Sequence, residues 1–262
     1  ECVSFLKSLS IKTEKFKTLG YDSDLITNSD WESIAKTAKN LCESINADGI
    51  ILGPVDHNVY PPKSDGGINP SGTLRIELEL YSNIRPAKNY NNVKSLSKNM
   101  DLIIVRENTE GFYADRNMFE GGGEFSPTPG IGLAFRKITK KASLRIAETA
   151  FKTANAKAIN KNKKPKVHAV HKANVMRLTD GIFLDACRSV SSKYPDIDYN
   201  EMLVDACAAH IVRNPSQFDV IVTTNMFGDI LSDLATELSG SLGLAGSLNA
   251  GDNYAMAQAQ HG

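Results

Sequence analysis

The sequence predicts an α/β fold. Short runs of aliphatic and β-branched residues alternate with stretches whose apolar residues recur at helical spacing. Two of the runs, Leu102-Ile103-Ile104-Val105 and Phe218-Asp219-Val220-Ile221-Val222-Thr223-Thr224, are almost continuously apolar. That pattern belongs to strands covered by helices on both faces. With 262 residues, 41% hydrophobic and 23% charged, the chain has the composition of a soluble globular protein and can form one large or two moderate domains.

Ser29-Asp30-Trp31-Glu32 is a capping-box pattern. After it, Trp31, Ile34, Ala35, Ala38, Leu41, Cys42 and Ile45 repeat at helical spacing. Asp48 to Pro54 reads as a buried strand ending in a turn, and Leu102 to Val105 as a second strand. Helices are predicted over 142–157, 180–193 and 205–212, and strands over 167–171 and 218–223. Phe112 to Phe135, with Gly121-Gly122-Gly123, Pro127 and Pro129, reads as a loop or a protruding β-arm. Lys157 to Lys166 is a basic, polar connection with the composition of a solvated loop.

Formal net charge is zero, from 30 basic and 30 acidic residues, so no global field draws the chain to nucleic acid or to an anionic membrane. No apolar run approaches the ~20 residues of a membrane helix, and the first residues lack a signal-peptide pattern. Cys2, Cys42, Cys187 and Cys207 are scattered without a CxxC pair, as in reduced thiols of a cytoplasmic protein.

The most informative segment is Asn225-Met226-Phe227-Gly228-Asp229-Ile230-Leu231-Ser232-Asp233, which opens a helix directly after the strand at 218–223. Asp229 and Asp233 are four residues apart, so both carboxylates lie on one helix face. Such a pair can hold a hard divalent cation through oxygen while leaving water positions open; the plainer reading is that Asp229 favours the helix N-terminus through the macrodipole. Arg75, Arg85 and Arg106 each sit beside an apolar or turn segment and are read as strand-end or loop-end residues. Guanidinium forks match carboxylates in pairs, so three point to a substrate with two or three carboxylates, although any one alone reads as a surface ion-pair residue. Lys172 follows the strand at 167–171, where a lysine can be tuned as a base or remain a surface residue. Tyr113, seven residues after Arg106, could donate a proton or simply pack. His168 and His171 are three apart on a strand and point to opposite faces, so they cannot chelate one ion together. No GxGxxG, no GxxxxGK[ST] and no nucleophile triad with a recognisable context is present.

With these pieces placed, the chain resembles the β-decarboxylating dehydrogenases, the isocitrate and isopropylmalate dehydrogenase family that also includes homoisocitrate and tartrate dehydrogenases. The matching segments are Ser71 to Arg75, Asn83 to Lys88, Val105 to Tyr113, His171 to Val175, Val204 to Ala206, and Asn225 to Asp233 continuing to Leu244. Six such segments in the family's order are far more specific than any one. The resemblance implies an isopropylmalate dehydrogenase-like fold of two α/β domains with a central cleft and no Rossmann fingerprint. Residues 1–80 and 240–262 would form the large domain and 81–239 the small one, with an arm near 112–135 clasping a second protomer. It implies that Ser71, Arg75, Arg85 and Arg106 bind the substrate and that Asp229 and Asp233 bind Mg2+ or Mn2+ together with Asp205 of the other protomer of a homodimer. Lys172 would cross from that partner and act in proton removal, and Tyr113 would protonate the enolate carbon after loss of CO2. Asn174 would lie by the nicotinamide of NAD, or of NADP, and His261 and Gly262 would begin the loop that holds the rest of the cofactor.

The family's usual first strand and glycine-rich loop are not found upstream of Glu1, and the family continues past Gly262, so a fragment that cannot complete its first domain is expected. The segment Ile68 to Thr73, which would face the variable group of the substrate, is polar and lacks a paired-leucine patch. It suits a third carboxylate better than a branched alkyl group, which places isocitrate ahead of isopropylmalate, homoisocitrate and tartrate or D-malate. The non-enzyme alternative is a regulatory subunit in a hetero-oligomeric dehydrogenase.

Overall fold

In the computed structural model, residues 49–52, 70–112, 123–158, 164–240 and 244–259 are described. The helix read at 31–45, Cys2 and Cys42, Tyr113, and His261 with Gly262 lie outside them.

Among the described residues, ten strands and five α-helices are arranged as β1 (Ile50–Leu52), α1 (Pro70–Glu77), β2 (Ser82–Lys88), β3 (Asp101–Glu107), β4 (Glu124–Thr128), β5 (Ile131–Ala134), α2 (Lys140–Ala158), β6 (Lys166–His171), α3 (Arg177–Ser191), β7 (Asp198–Leu203), α4 (Val204–Arg213), β8 (Val220–Thr223), α5 (Asn225–Ser239), β9 (Gly246–Ala250) and β10 (Ala255–Ala259). Eight strands form one sheet in the order β1-β10-β9-β2-β3-β8-β6-β7. From β3 to β7 the neighbours are parallel. From β10 through β9 and β2 to β3 they are antiparallel, and β1 joins the far edge parallel to β10.

The continuous apolar runs behave as predicted, because successive residues of β3 and β8 serve opposite faces. Val105, Val220 and Val222 pack beneath α2 and α3 against Ile146, Phe151 and Phe183. Leu102, Ile104 and Ile221 face the other layer, against Ile211 of α4 and Leu231 of α5. Phe151 and Phe183 are essentially inaccessible to solvent; each such side chain contributes about 1.5–3 kcal/mol over its exposed state. Helix α2 starts where Thr139 caps it: its hydroxyl oxygen accepts the amide of Ala142 at 3.2 Å. Of the segment read as a loop or β-arm, the described residues 123–135 contain the β4–β5 hairpin, turned at Pro129-Gly130 and exposed along both strands. Helix α1 and the turn after it pack on the antiparallel half through Leu74 and Leu78 against Met256.

Cys187 and Cys207 are buried free thiols on helices α3 and α4. Burial pushes both thiols up, that of Cys207 to about 12, so they act as small core residues. His168 is buried edge-on to Phe218, whereas His171 is half-buried and accepts the amide of Ala173 at 3.1 Å, so the two do not form a metal pair. Among the described residues, no helix is long and apolar enough to cross a membrane.

Candidate active site

The chemistry-bearing residues gather where strands β3, β8, β6 and β7 end at their carboxyl edges, the usual place for a ligand on an open parallel sheet. Arg106 lies near the end of β3, Asp229 and Asp233 on α5 after β8, Lys172 just after β6, and Asp205 in the first turn of α4 after β7. Two placements differ from the sequence reading. Arg75 sits in helix α1, because Pro70 at its start and the run Gly72 to Ile76 form a helical turn, and Arg85 lies in the middle of β2 opposite Ile104. Neither is a strand-end residue; antiparallel pairing of β2 with β3 and β9 brings Arg85 to the site.

Two arginines converge on the acids of α5. Arg85 Nη1 lies 3.0 Å from Asp233 and its Nη2 3.4 Å from Asp229, while Arg106 pairs with the same oxygen of Asp229. Both guanidiniums are largely buried, and the carboxylates are more open, with side chains 38% and 49% exposed for Asp229 and Asp233. Arg85 Nη1 also donates to the Ser232 hydroxyl at 2.7 Å. Arg106 Nε donates to Asn225 Oδ1 at 2.8 Å, and Asn225 in turn donates to the carbonyl of Glu110.

Beneath the arginines runs a relay of buried amides. Arg75 donates to Asn108 at 3.3 Å, Asn108 to Asn249 at 3.2 Å and Asn83 to the same Asn249 oxygen at 2.8 Å, and Arg85 Nε donates to Asn83 at 2.7 Å. Gln258 of β10 joins this relay by accepting from Ser71 at 2.8 Å and from Arg75 at 3.3 Å. The Ser71 hydroxyl is thus turned toward Gln258. Asn249 and Gln258 lie in strands without a readable apolar period, so only the alternation of Asn249 with Leu248 and Ala250, and of Gln258 with its alanines, could have signalled them.

A second cluster holds the other basic residue. Lys172 Nζ lies 2.8 Å from Asp205, and the bond from the ammonium group holds the Asp205 carboxyl below its usual range. The chain therefore divides its candidate residues between Arg85–Arg106–Asp229–Asp233 and Lys172–Asp205. Asn174 is exposed in the turn after Lys172.

Oxygen donors of Asp229 and Asp233, solvent-accessible and on one helix face, fit a hard divalent cation. Among the described residues no three His, Cys, Asp or Glu side chains come together as a metal cage, so a cation held by these two acids takes its remaining ligands from outside that pair.

A family model described as isocitrate/isopropylmalate dehydrogenase matches residues 2–262. The chain belongs to that family. It is 39% identical over 247 residues to mitochondrial isocitrate dehydrogenase [NAD] catalytic subunit 6 of Arabidopsis thaliana, covering 93% of this chain and 60% of that protein. It is 41% identical over 239 residues to 3-isopropylmalate dehydrogenase of Saccharolobus solfataricus, covering 91% and 64%. A mitochondrial isocitrate dehydrogenase [NAD] regulatory subunit of Dictyostelium discoideum is 39% identical over 240 residues, covering 89% and 63%. The crystal structure of isocitrate dehydrogenase from Methylococcus capsulatus superposes with a TM-score of 0.70 at 32% identity, covering 99% of this chain and 66% of that one. The chain thus spans somewhat under two thirds of the length of these family members. Some relatives are named as mitochondrial and others carry no compartment in their names, so the family names do not confirm the cytoplasmic expectation.

Proposed function

We propose that the protein containing this chain is a metal- and NAD(P)-dependent dehydrogenase that oxidises and decarboxylates a 3-substituted D-malate, foremost isocitrate to 2-oxoglutarate. The observation that carries this reading is the convergence of Arg85 and Arg106 on two accessible acids of one helix face. Family relatives carry both names at similar identity, so likeness does not decide between the tricarboxylate and the dicarboxylate. What supports isocitrate is the polar segment Ile68 to Thr73, which has no paired-leucine patch and suits a third carboxylate better than a branched alkyl group.

In this reading the substrate carboxylates replace the acids of α5 as partners of Arg85 and Arg106, and Arg75 takes a further carboxylate, with Ser71 at the edge of the same pocket. Asp229 and Asp233, freed from those pairs, hold Mg2+ or Mn2+ together with Asp205 of a second protomer. A cation held there would lower the cost of ionising the substrate hydroxyl and of developing enolate charge, and a bound nicotinamide would supply the hydride acceptor. Lys172 of that second protomer takes the hydroxyl proton. The carbon–carbon bond to the β-carboxylate then breaks, CO2 leaves, and Tyr113 returns a proton to the enolate carbon. Asn174 stands by the nicotinamide, and His261 with Gly262 opens the remaining cofactor loop. The exposed β4–β5 hairpin, carrying Phe125, Ile131, Leu133 and Phe135, is the arm that clasps the partner. The domains are proposed as 1–80 with 240–262, and 81–239, sharing the sheet through β9 and β2.

A regulatory role in a hetero-oligomer is the second reading, favoured by the Dictyostelium relative. Lys172, Asp205, Asp229, Asp233 and Tyr113 are all retained, which favours a catalytic role. The test is an NAD(P)H absorbance assay of the full-length protein with Mn2+ on isocitrate, homoisocitrate, isopropylmalate, D-malate and tartrate, with each cofactor. Isocitrate should give the highest kcat/KM, and no turnover on any of them would sink the enzyme reading. Asp229→Asn should abolish metal-dependent turnover while the circular dichroism spectrum is retained.

A further inference from the structure

Arg136 lies in the connection between β5 and α2, outside both clusters described above. Its side chain is only 6% exposed, and its guanidinium reaches two different elements. Nη1 donates to Thr179 Oγ1 at 2.6 Å and pairs with Asp180, which is wholly buried in the first turn of α3. Nη2 donates to Thr224 Oγ1 at 3.0 Å. Phe112 and Phe227 flank the cation, with ring centroids 5.5 and 5.6 Å away.

What these partners hold matters more than the ion pair. The second oxygen of Asp180 accepts the main-chain amide of Lys172, and the Lys172 carbonyl accepts the amides of Val175 and Met176. Asp180 therefore closes the turn on which Lys172 and Asn174 stand. Thr224 is the N-cap residue of α5, and its carbonyl accepts the amide of Gly228, one residue before Asp229. One planar fork thus ties the base of the Lys172 turn to the first turn of the helix that carries Asp229 and Asp233. Lysine, with a point charge, cannot span both partners in the same way.

We propose that Arg136 is a positioning residue that fixes the Lys172 turn and the start of α5 relative to each other. The part that concerns catalysis rests on the functional reading above: with Lys172 serving the partner's centre and α5 serving its own, Arg136 would join the half-sites of two different centres within one chain. The geometric part stands without that reading.

The test uses the full-length protein and two conservative variants. Arg136→Lys keeps the buried charge beside Asp180 but loses the fork, and Thr224→Val removes only the arm to α5. Amide hydrogen exchange is read by mass spectrometry over residues 172–176 and 225–229. Arg136→Lys should speed exchange in both segments by about tenfold or more, as expected when local opening becomes easier. Thr224→Val should do so only in the second. In turnover assays Arg136→Lys should lower kcat about tenfold with KM for the hydroxy acid little changed, because a displaced Lys172 is no longer aligned for proton transfer. Thr224→Val should mainly raise KM for Mn2+. Folded Arg136→Lys protein with wild-type exchange in both segments overturns the strut, whatever the activity. Faster exchange with unchanged kcat and KM overturns the positioning role. Faster exchange in the variant of a protein whose wild type lacks dehydrogenase activity sinks the functional reading and leaves the strut standing.

Discussion

Gly228 lies flat against Arg106: a Cβ added to Gly228 would come within 2.6 Å of both Cβ and Cγ of Arg106. Those atoms are the root of the arginine stem, not its flexible end. The glycine one residue before Asp229 therefore determines how closely α5 approaches β3, and with it the pairing of Arg106 with Asp229.

Gly228→Ala weighs two opposed effects. Alanine in a helix interior is favoured over glycine by about 1 kcal/mol, whereas overpacking a filled site costs about 1–3 kcal/mol. The clash falls on stem atoms that cannot swing away, so the penalty should win. The variant should melt a few degrees lower and show KM for the hydroxy acid raised by at least about tenfold, the equivalent of about 1.4 kcal/mol. A melting temperature above wild type with unchanged KM would show that Arg106 relocates freely.

Asn249 is the hub of the amide relay, because one side-chain oxygen accepts from both Asn83 and Asn108. All three residues are buried to 1% exposure or less. Asn249→Leu leaves two buried donors without that acceptor, at about 1–3 kcal/mol each. Urea unfolding should show a loss of roughly 2–4 kcal/mol after partial relaxation, and substrate KM should rise because Asn108 and Asn83 also carry the bonds from Arg75 and Arg85. Equal urea midpoints for variant and wild type would remove the relay from any structural role.

The parts of the fold that announce themselves in sequence are those with an unbroken apolar run or a helical period. Val220 to Thr223 and Ile103 to Val105 are covered on both faces and read clearly as strands, and the helices at 140–158 and 177–191 match the predicted ones to within a few residues at each end. Strands β9 and β10 carry serine, asparagine and glutamine on faces that meet other polar groups, so hydrophobic patterning is silent there. Asp229 with Asp233 is legible because helix geometry is local. The pairing of those acids with Arg85 is not, because it depends on β2 entering the sheet between β3 and β9, a long-range choice that no local pattern encodes. Arg136 escapes a sequence reading for the same reason, since its partners lie 44 and 88 residues away.

His168 should make the protein acid-labile. It is 6% exposed against Phe218, and burial, reinforced by Lys166 and opposed by Asp219, lowers its pKa to about 4. In the unfolded chain the value is near 6.5. The unfolded state therefore binds the proton first as pH falls, and stability present above about pH 6.5 is lost progressively down to about pH 4, by an amount on the order of 3 kcal/mol. Urea midpoints at pH 7 and pH 4.5 would measure it. His168→Phe should reduce the difference between them, and an undiminished difference would place the acid sensitivity elsewhere.

The separation of Lys172–Asp205 from Asp229–Asp233 within one chain leads to a sharper prediction. If each centre takes Asp229 from one protomer and Lys172 from the other, Lys172→Ala and Asp229→Asn homodimers are both inactive, since every centre in them lacks one group. A mixed dimer differs. One of its centres combines both defects, and the other combines the intact Asp229 of the lysine variant with the intact Lys172 of the aspartate variant. Random reassortment of equal amounts makes half the dimers mixed, each with one intact centre, so activity should return to about a quarter of wild type by the symmetry of a two-fold dimer. Denaturing and refolding the two variants together, with each refolded alone as control, reads this directly in an NAD(P)H assay. Recovery to that level requires the centre to be shared. No recovery, with mixed dimers verified by mass spectrometry, would confine Lys172 and Asp229 to the same centre and force a rearrangement that brings the two clusters of this chain together.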